Sequence, residues 1–386
     1  MSISIRRLCR DINKEYHVCN IGGMEGMDNI VNWVHMIEDY DAVQFLHGFE
    51  VVITTGIGNI GNPENMLIFV KTLHKKNASG VIFNIGPYIQ EIPKNVIQYC
   101  CENKLPLFTV PWETKLVDLT RHFCKILIEH DEKEKSLTSL VKDYIFREED
   151  REKLYSDLTR NGFAQHLNYC VINFELVSSE KKPIIEQQKE YLHEVIEREA
   201  SRVASKFVIF RHENRYVLIT AGLKTTVIQE LVQLIEGKHF ANDEILYIST
   251  SSNKGNLINL PQNFYLSERV YKLARKLKTN IMTYDDLDMY RLLFAIDDIG
   301  IMREYKKNVL NTLVEYDEGN GSNYLDFIRN YIEKNGNIQE IASDMFVHRN
   351  TIHYKINKIK EIANIDLTQL EDVLRVQICL KIMDIL

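Results

Sequence analysis

The sequence predicts three folded regions in one chain: an α/β domain with a parallel sheet, an α+β domain of the ferredoxin-like class, and an all-α helix-turn-helix domain. Three observations support this order. Apolar strand runs alternate with helical patterns up to residue 125, a β-α-β-β-α-β order follows between 170 and 284, and two helices flank a short turn near 346. The predicted boundaries are 1–128, then 129–162 for a connecting helix, 163–315 and 316–386.

Composition and cysteine usage are those of an ordinary globular chain. Of 386 residues, 45% are hydrophobic and the net charge is −7, which argues against a protein coated in nucleic acid but allows a local basic patch. The seven cysteines form no C-x-x-C pair and no cluster with histidine, so we expect reduced thiols and no metal. No secretion signal is present and no apolar run approaches the roughly 20 residues that span a bilayer, so we expect a cytoplasmic protein without membrane contact.

Four apolar runs in the N-terminal third predict strands at 16–20, 51–55, 80–85 and 106–110. The helices predicted between them begin at Asp28, with Ile30, Val31, Val34 and Ile37 on one face, at Asn62-Pro63, and at Pro93. Asparagine is a common N-cap, and proline at the first helical position loses no hydrogen bond. Strand–helix alternation predicts a parallel sheet with crossover helices, whose strands all end at one edge.

The loops that follow these strands carry the candidate residues for a small-molecule site. Small ligands bind beyond the carboxyl ends of parallel strands, glycine lets a backbone approach a ligand, and tryptophan can stack on a planar ring. The predicted effector-binding residues are Gly22, Gly23, Gly56, Gly58, Gly86 and Trp112. The alternative is that the glycines only form turns and that Trp112 is core beneath the connecting helix. The absence of a phosphate-binding glycine motif and the scarcity of charged residues favour binding without catalysis or a nucleotide cofactor.

The middle region predicts a charged connecting helix that stops near Gly162, followed by a nucleotide-cyclase-like arrangement of strands and helices. Diguanylate cyclases carry Gly-Gly-(Asp/Glu)-Glu-Phe at the hairpin of this arrangement. Here that position is 211–216, RHENRY, which has no glycine pair and one acidic residue. Two-metal phosphoryl chemistry needs paired carboxylates, so we expect a degenerate, catalytically inactive domain that serves as scaffold, dimer contact or signal relay.

The C-terminal region predicts a helix over 324–335, a second helix capped by Asn337, and a third that begins near 349. Phe346-Val347-His348 forms the turn between the last two, and Ile352, Ile356, Ile359 and Ala363 of the third helix face inward. Residues 346–360 contain no Asp or Glu in an otherwise acidic chain. The final segment, 367–386, predicts an amphipathic helix that packs on this domain or on a partner subunit.

The outward face of the third helix carries side chains that reach base edges and phosphates in a major groove. The predicted DNA-binding residues are His348, Arg349, Asn350, Thr351, His353, Tyr354, Asn357 and Lys358. Two helices, a short turn and an acid-free second helix are typical of a helix-turn-helix. The alternative is a solvated basic face of an ordinary helical domain.

At this point the sequence resembles a known family. The segment NGNIQEIASDMFVHRNTIHYKINKIKEIANIDL closely resembles the helix-turn-helix of the purine-catabolism-regulator (PucR-like) and sugar-diacid-regulator transcription factors, including Val347-His348-Arg349-Asn350-Thr351, Tyr354 and Asp366-Leu367. The N-terminal third is similar to the PucR-type ligand-binding domain through Gly22-Gly23, 26–39, 51–56, Ile92-Pro93 and 105–112. The middle resembles that family's degenerate cyclase-like domain, although 248–256 departs from its glycine-containing strand end.

The resemblance implies a cytoplasmic regulator that senses a small metabolite, often from purine breakdown, and controls catabolic operons. We therefore expect a metabolite-responsive transcription regulator of purine or related nitrogen catabolism, without catalytic residues or cofactor. Its expected partners are double-stranded operator DNA, a small-molecule effector such as a purine, and further copies of itself, at least as a dimer. Two alternatives remain: a metabolite sensor that acts through protein partners, and a nucleotide cyclase or phosphodiesterase.

Overall fold

The computed structural model describes residues 3–10, 12–58, 60–179, 183–238, 240, 243–296 and 298–386. Its N-terminal sheet has five strands, which lie side by side in the order β2 (Cys19–Gly22), β7 (Leu107–Pro111), β6 (Gly80–Ile85), β5 (Glu50–Thr54) and β4 (Trp33–Met36). Strands β4 to β7 are mutually parallel, and β1 and β3 form a separate two-stranded sheet. The elements are β1 Ile3–Ser4, α1 Ile5–Leu8, α2 Ile12–Tyr16, β2 Cys19–Gly22, β3 Ile30–Val31, β4 Trp33–Met36, β5 Glu50–Thr54, α3 Pro63–Lys75, β6 Gly80–Ile85, α4 Lys94–Glu102 and β7 Leu107–Pro111.

Three of the predicted strands and two of the predicted helices are confirmed. Strand β5 and residues 80–84 of β6 are buried, as continuous apolar runs in a sheet covered on both faces require. Helix α3 begins at Pro63, and the Asn62 side chain accepts a hydrogen bond from the Glu64 N–H at 3.1 Å. Helices α3 and α4 bury Phe69, Val70, Val96 and similar side chains in one apolar core against the sheet.

The helix predicted after Asp28 is wrong, because residues 30–36 form two short strands instead. In β4 Val34 is buried while Trp33, His35 and Met36 are exposed, and β4 is an edge strand of its sheet. The β-branched Ile30 and Val31 suit strands as well as they suit a helical face, so the apolar spacing alone did not decide between them. Asp28 caps no helix; its carboxylate pairs with Arg6 at 2.9 Å.

The first predicted strand is displaced, and its direction is opposite to that expected. Tyr16 ends α2, and β2 covers Cys19–Gly22, where it pairs antiparallel with β7. A parallel neighbour requires a crossover connection, and the helix that was expected to supply the first crossover does not exist. Gly22 pairs with Leu107 at the beginning of β7, so β2 ends at the edge of the sheet where the parallel strands begin.

The second five-stranded sheet has the order β12 (Ile281–Thr283), β11 (Glu244–Thr250), β8 (Tyr169–Ser178), β10 (Arg215–Ala221) and β9 (Phe207–His212). Strands β9 and β10 form the predicted hairpin, in which His212 pairs with Arg215 across a two-residue turn, Glu213-Asn214. The order of strands and helices along the chain agrees with the prediction. The elements are α5 Leu116–Phe146, α6 Arg151–Arg160, β8 Tyr169–Ser178, α7 Glu186–Val203, β9 Phe207–His212, β10 Arg215–Ala221, α8 Thr225–Glu236, β11 Glu244–Thr250, α9 Leu260–Leu277 and β12 Ile281–Thr283.

The predicted connecting helix begins earlier than expected, at Leu116, ends at Phe146 and is followed by a second helix, Arg151–Arg160. Its N-terminal half buries Leu119, Phe123 and Leu127 in the core on one face of the first sheet, and its C-terminal half buries Tyr144 and Ile145. The predicted boundary at residue 128 therefore falls inside α5. The chain forms two compact units. The first contains Met1–Val171, Glu175–Ile245 and Asn253–Pro261, and the second contains Ile172–Phe174, Leu246–Ser252 and Gln262–Leu386. The four domain ranges that the sequence predicts stay predictions.

The C-terminal region is all helical. Its apolar core includes Leu313 of α11 (Ile299–Asn320), Phe327 of α12 (Tyr324–Glu333), Ile341 of α13 (Ile338–Asp344), Ile352 of α14 (Arg349–Ala363) and Cys379 of α15 (Leu370–Ile385). Among the described residues, no helix is both long enough and apolar enough to cross a membrane. The elements are α10 Met289–Phe294, α11 Ile299–Asn320, α12 Tyr324–Glu333, α13 Ile338–Asp344, α14 Arg349–Ala363 and α15 Leu370–Ile385.

Candidate nucleic-acid interface and ligand-binding edge

Helices α13 and α14, with a short turn between them, form the predicted helix-turn-helix. The Asn337 side chain accepts hydrogen bonds from the Gln339 and Glu340 N–H groups at 3.2 and 3.4 Å, which fixes the start of α13. Ile352, Ile356 and Ile359 anchor α14 in the core of the domain. The same spacing directs the opposite face of α14 away from the core.

The predicted recognition residues occupy that opposite face. Apart from His348, those that are exposed to solvent are Arg349, Asn350, Thr351, His353, Tyr354 and Asn357. None of these six side chains makes a hydrogen bond or ion pair with any residue that the structure describes. Their donors and acceptors are therefore free to contact a ligand without breaking an internal interaction.

His348, the first predicted recognition residue, has a structural role. Its Nδ1 accepts a hydrogen bond from the Asn350 N–H at 3.2 Å, so its ring caps α14. Nδ1 must be unprotonated to accept this bond. Because Nδ1 is engaged in the cap, Nε2 is the ring nitrogen of His348 that is available to a phosphate or a base.

The lysines of the segment 346–360 are already engaged. Lys358 donates to Glu361 at 3.0 Å, and this hydrogen bond raises the pKa of Lys358. Lys360 pairs with Asp366 at 2.5 Å, and this bond is the largest cause that lowers the pKa of Asp366 to about 2. Lys355 contacts Asn323 at 3.2 Å and lies over the Tyr324 ring. Acidic residues outside the acid-free segment thus neutralise part of its charge.

The predicted effector-binding residues are divided between two edges of the first sheet. A Cβ on Gly23 would lie 2.0 Å from the Leu105 carbonyl oxygen, at the edge where the parallel strands begin. Gly56, Gly58, Gly86 and Trp112 follow the carboxyl ends of the parallel strands, at the opposite edge. The expectation that Gly22 and Gly23 join the other four around one cavity was wrong, because it assumed a parallel β2.

Trp112 lies at the carboxyl edge and is 42% exposed, so it is not core beneath α5. Its ring makes an edge-to-face contact with Tyr88, with centroids 5.9 Å apart. A Cβ on Gly86 would lie 2.5 Å from the Trp112 ring, so the missing side chain of Gly86 makes room for the indole. A Cβ on Gly56, whose φ is +82°, would lie 2.4 Å from the Cγ1 atom of Ile89, so Gly56 makes room for the isoleucine side chain.

Two cavities open near this edge, and each is large enough for a metabolite. One, of about 430 Å³, is lined by Tyr40, Gly58, Ile60, Asn65 and Ile68. The other, of about 840 Å³, is lined by Glu15, Tyr16, His17, Pro111, Glu113, Thr114, Lys115, Asp118, Arg121, His122 and Lys125. The sequence prediction missed the second cavity. The basic residues at 115, 121 and 125, directly after the last strand, were the available signal.

Both ends of the chain match models of one protein family. Residues 13–127 match the purine catabolism regulatory protein-like family, and residues 324–382 match the PucR C-terminal helix-turn-helix domain. The chain carries a PucR-type N-terminal domain and a PucR-type C-terminal helix-turn-helix. The second match contains α13, α14 and the exposed recognition face.

Two relatives of this chain come from Bacillus subtilis (strain 168). The proline-responsive transcriptional activator PutR is 24% identical over 319 residues, which is 79% of this chain and 72% of PutR. The purine catabolism regulatory protein is 26% identical over 99 residues, 26% of this chain and 19% of that protein. A crystal structure of a regulator of polyketide synthase expression from Bifidobacterium adolescentis is 17% identical, with a TM-score of 0.32, over 64% of this chain and 92% of that one.

Proposed function

We propose that this chain binds operator DNA through the exposed face of α14 and changes this binding when a small metabolite occupies its N-terminal domain. The observation that carries the proposal is the set of six exposed side chains on α14 that have no partner among the described residues. Arginine and asparagine there can pair with guanine and adenine edges, and threonine and histidine can contact bases or phosphates. A DNA-binding role implies a cytoplasmic location.

The hairpin of the middle region supports a regulator over a cyclase. Glu213 is the only acidic residue in the turn segment, and its carboxylate accepts a bond at 2.8 Å from Arg215, a residue only 3% exposed. A carboxylate committed to a buried guanidinium is poorly placed to hold a catalytic metal. We propose that residues 163–315 form a degenerate cyclase-like domain without enzymatic activity.

The effector is proposed to bind at the carboxyl edge of the first sheet, near Gly58 and Trp112. The names of the relatives associate such regulators with purine catabolism in one case and with proline in another. We therefore propose a small nitrogen-containing metabolite as the effector and nitrogen catabolism genes as the target. A sensor that acts only through protein partners remains the second candidate, but it would leave the α14 surface without a role.

The test of DNA binding compares two arginines in the same domain. Arg349→Ala and Asn350→Ala should each weaken binding to a specific duplex by about 5- to 150-fold, the value of one bidentate base contact. Arg375→Ala removes the same charge from α15, where Arg375 pairs with Asp372 at 3.0 Å, and should bind as the parent does. Affinity would be measured by fluorescence anisotropy on a duplex that the parent selects from a random-sequence pool.

If the parent selects no duplex from the pool, or if Arg349→Ala and Asn350→Ala bind as tightly as Arg375→Ala, α14 does not read DNA. Circular dichroism of each variant controls for a loss of helix content.

A further inference from the structure

Phe346, in the turn between α13 and α14, is almost completely exposed. Its relative accessibility is 95%, compared with 74% for Leu370, another strongly exposed apolar residue of the same domain. Burial of a phenylalanine side chain would stabilise the fold substantially, and this side chain contributes none of that stabilisation. The aromatic ring therefore has no packing role in the domain as it stands.

The backbone at Phe346 also disfavours a bulky residue. The Phe346 N–H donates to the Ser343 carbonyl at 3.2 Å and the Val347 N–H to the Ala342 carbonyl at 3.0 Å, which is the Schellman ending of a helix. Phe346 occupies the position of this motif that is normally glycine or asparagine, and its φ is +54°. A side chain in this conformation is strained.

The other helix ends of the same domain follow the usual rule. The left-handed position is Gly321 after α11, Asn335 and Gly336 after α12, and Asn364 after α14. Phe346 alone among these positions is both bulky and exposed. Strained residues cluster at binding sites, where an interaction with a ligand offsets the cost.

The location of Phe346 indicates which ligand covers it. Arg349, the first residue of α14, follows three positions later, so Phe346 lies just before the helix whose exposed polar face is proposed to read DNA. Apolar side chains at such interfaces contact the methyl group of thymine or the deoxyribose. A duplex seated on α14 would approach the turn as well as the helix.

We propose that Phe346 is a DNA-contact residue, whose ring packs on an apolar surface of the operator duplex, either a thymine methyl group or a deoxyribose. The proposal rests on the DNA-binding function proposed above and adds an uncharged contact outside the polar face. A DNA contact explains why this position is occupied by a residue that is not packed in the domain and that strains the backbone of the turn.

The test uses the full chain and the duplex that the parent selects from a random-sequence pool. Phe346→Ala should lose about 10- to 100-fold in affinity, the range that burial of a phenylalanine supports. The dependence of affinity on salt should stay unchanged, because no phosphate contact is removed. Leu292→Ala truncates a similarly exposed side chain, 72% exposed, outside the helix-turn-helix and should bind as the parent does.

A second variant separates the fold from the contact. Phe346→Asn places a residue that tolerates positive φ at the strained position, so its thermal unfolding midpoint should equal or exceed that of the parent while DNA affinity falls. Replacing thymine by uracil throughout the duplex identifies the contacted group. Lost affinity for the parent but not for Phe346→Ala indicates the methyl group, and unchanged affinity indicates the sugar.

Three results would overturn the proposal. Parent-like affinity of Phe346→Ala shows that DNA does not cover the ring, and if Arg349→Ala is impaired in the same assay the proposed function survives. A lower unfolding midpoint for Phe346→Asn shows that the ring packs within the fold. A change in molar mass of Phe346→Ala by light scattering shows that a second copy of the chain covers Phe346.

Discussion

Lys358 donates a hydrogen bond to Glu361 across one turn of α14, on the helix that is proposed to face DNA. The side chain of Glu361 is 66% exposed, so this pair is a solvated surface interaction that contributes little to stability. Its larger effect is on binding, because a carboxylate beside the recognition face repels phosphates and occupies the ammonium that would neutralise them.

Removal of that carboxylate should strengthen DNA binding. In Glu361→Gln, Lys358 becomes available to a phosphate, and the slope of log affinity against log salt should steepen by about 0.9. Glu371→Gln makes the same charge change at the exposed start of α15 and serves as the control. Slopes that are equal in the parent and both variants would show that Lys358 does not reach the DNA backbone, and it would then leave the set of recognition residues.

Residue-level prediction succeeded where one side chain and its neighbours in sequence decide the outcome. Asn62 and Asn337 were predicted as caps and both accept backbone N–H groups. The cap formed by His348 was not predicted, since histidine is not a usual N-cap residue. The partners of Lys358 and Lys360 were also missed, because both acids lie just beyond the segment whose charge was counted.

At the scale of elements, the sequence predicted well those strands and helices whose pattern has one interpretation. Strands β5 and β6 are buried on both faces, and α3 carries a cap, a first-turn proline and an apolar stripe. The segment 30–36 was ambiguous, because its apolar spacing fits a helix while its β-branched residues fit strands. The error propagated to β2, since its direction depends on whether a crossover helix follows it.

The corrected sheet gives a sharper test of the ligand-binding edge, because the two tryptophans of the chain lie on different strands. Trp112 follows the carboxyl end of β7, and Trp33 begins β4 at the other edge; they are 42% and 48% exposed. If the effector stacks on Trp112, Trp112→Ala should lose about tenfold in affinity or more, and Trp33→Ala should lose nothing. Both variants should retain the parent's secondary structure by circular dichroism.

Thermal shift and tryptophan fluorescence provide the readouts for this comparison. Xanthine, allantoin and proline would be screened against the parent first, since a ligand of the native state raises the unfolding midpoint. For the compound that does so, Trp33→Phe leaves Trp112 as the single reporter of stacking. An equal midpoint shift in Trp112→Ala and Trp33→Ala would place the ligand away from Trp112.

At the scale of the whole molecule, one helix-turn-helix contacts too few base pairs to select an operator from a genome. Regulators of this kind pair two copies on two half-sites whose centres lie about 10 base pairs, or a multiple of that, apart. The last helix offers apolar surface for such pairing, because Leu370 and Leu374 lie one turn apart and are 74% and 44% exposed. We therefore expect at least a dimer.

Light scattering of the full chain at micromolar concentration should give at least twice the monomer mass of 45.2 kDa, with and without DNA. Footprinting on the selected duplex should protect two half-sites at the helical spacing. Arg349→Ala should keep the parent's molar mass while it loses DNA, because its side chain faces solvent at the start of α14. Leu374→Glu should instead lower the molar mass and, with it, the affinity for the two-site duplex, while affinity for a single half-site stays weak and unchanged, since each recognition helix is intact. A monomer under both conditions, with protection of one half-site only, would contradict the pairing of subunits, and a parent-like mass for Leu374→Glu would move the interface from α15 to another element.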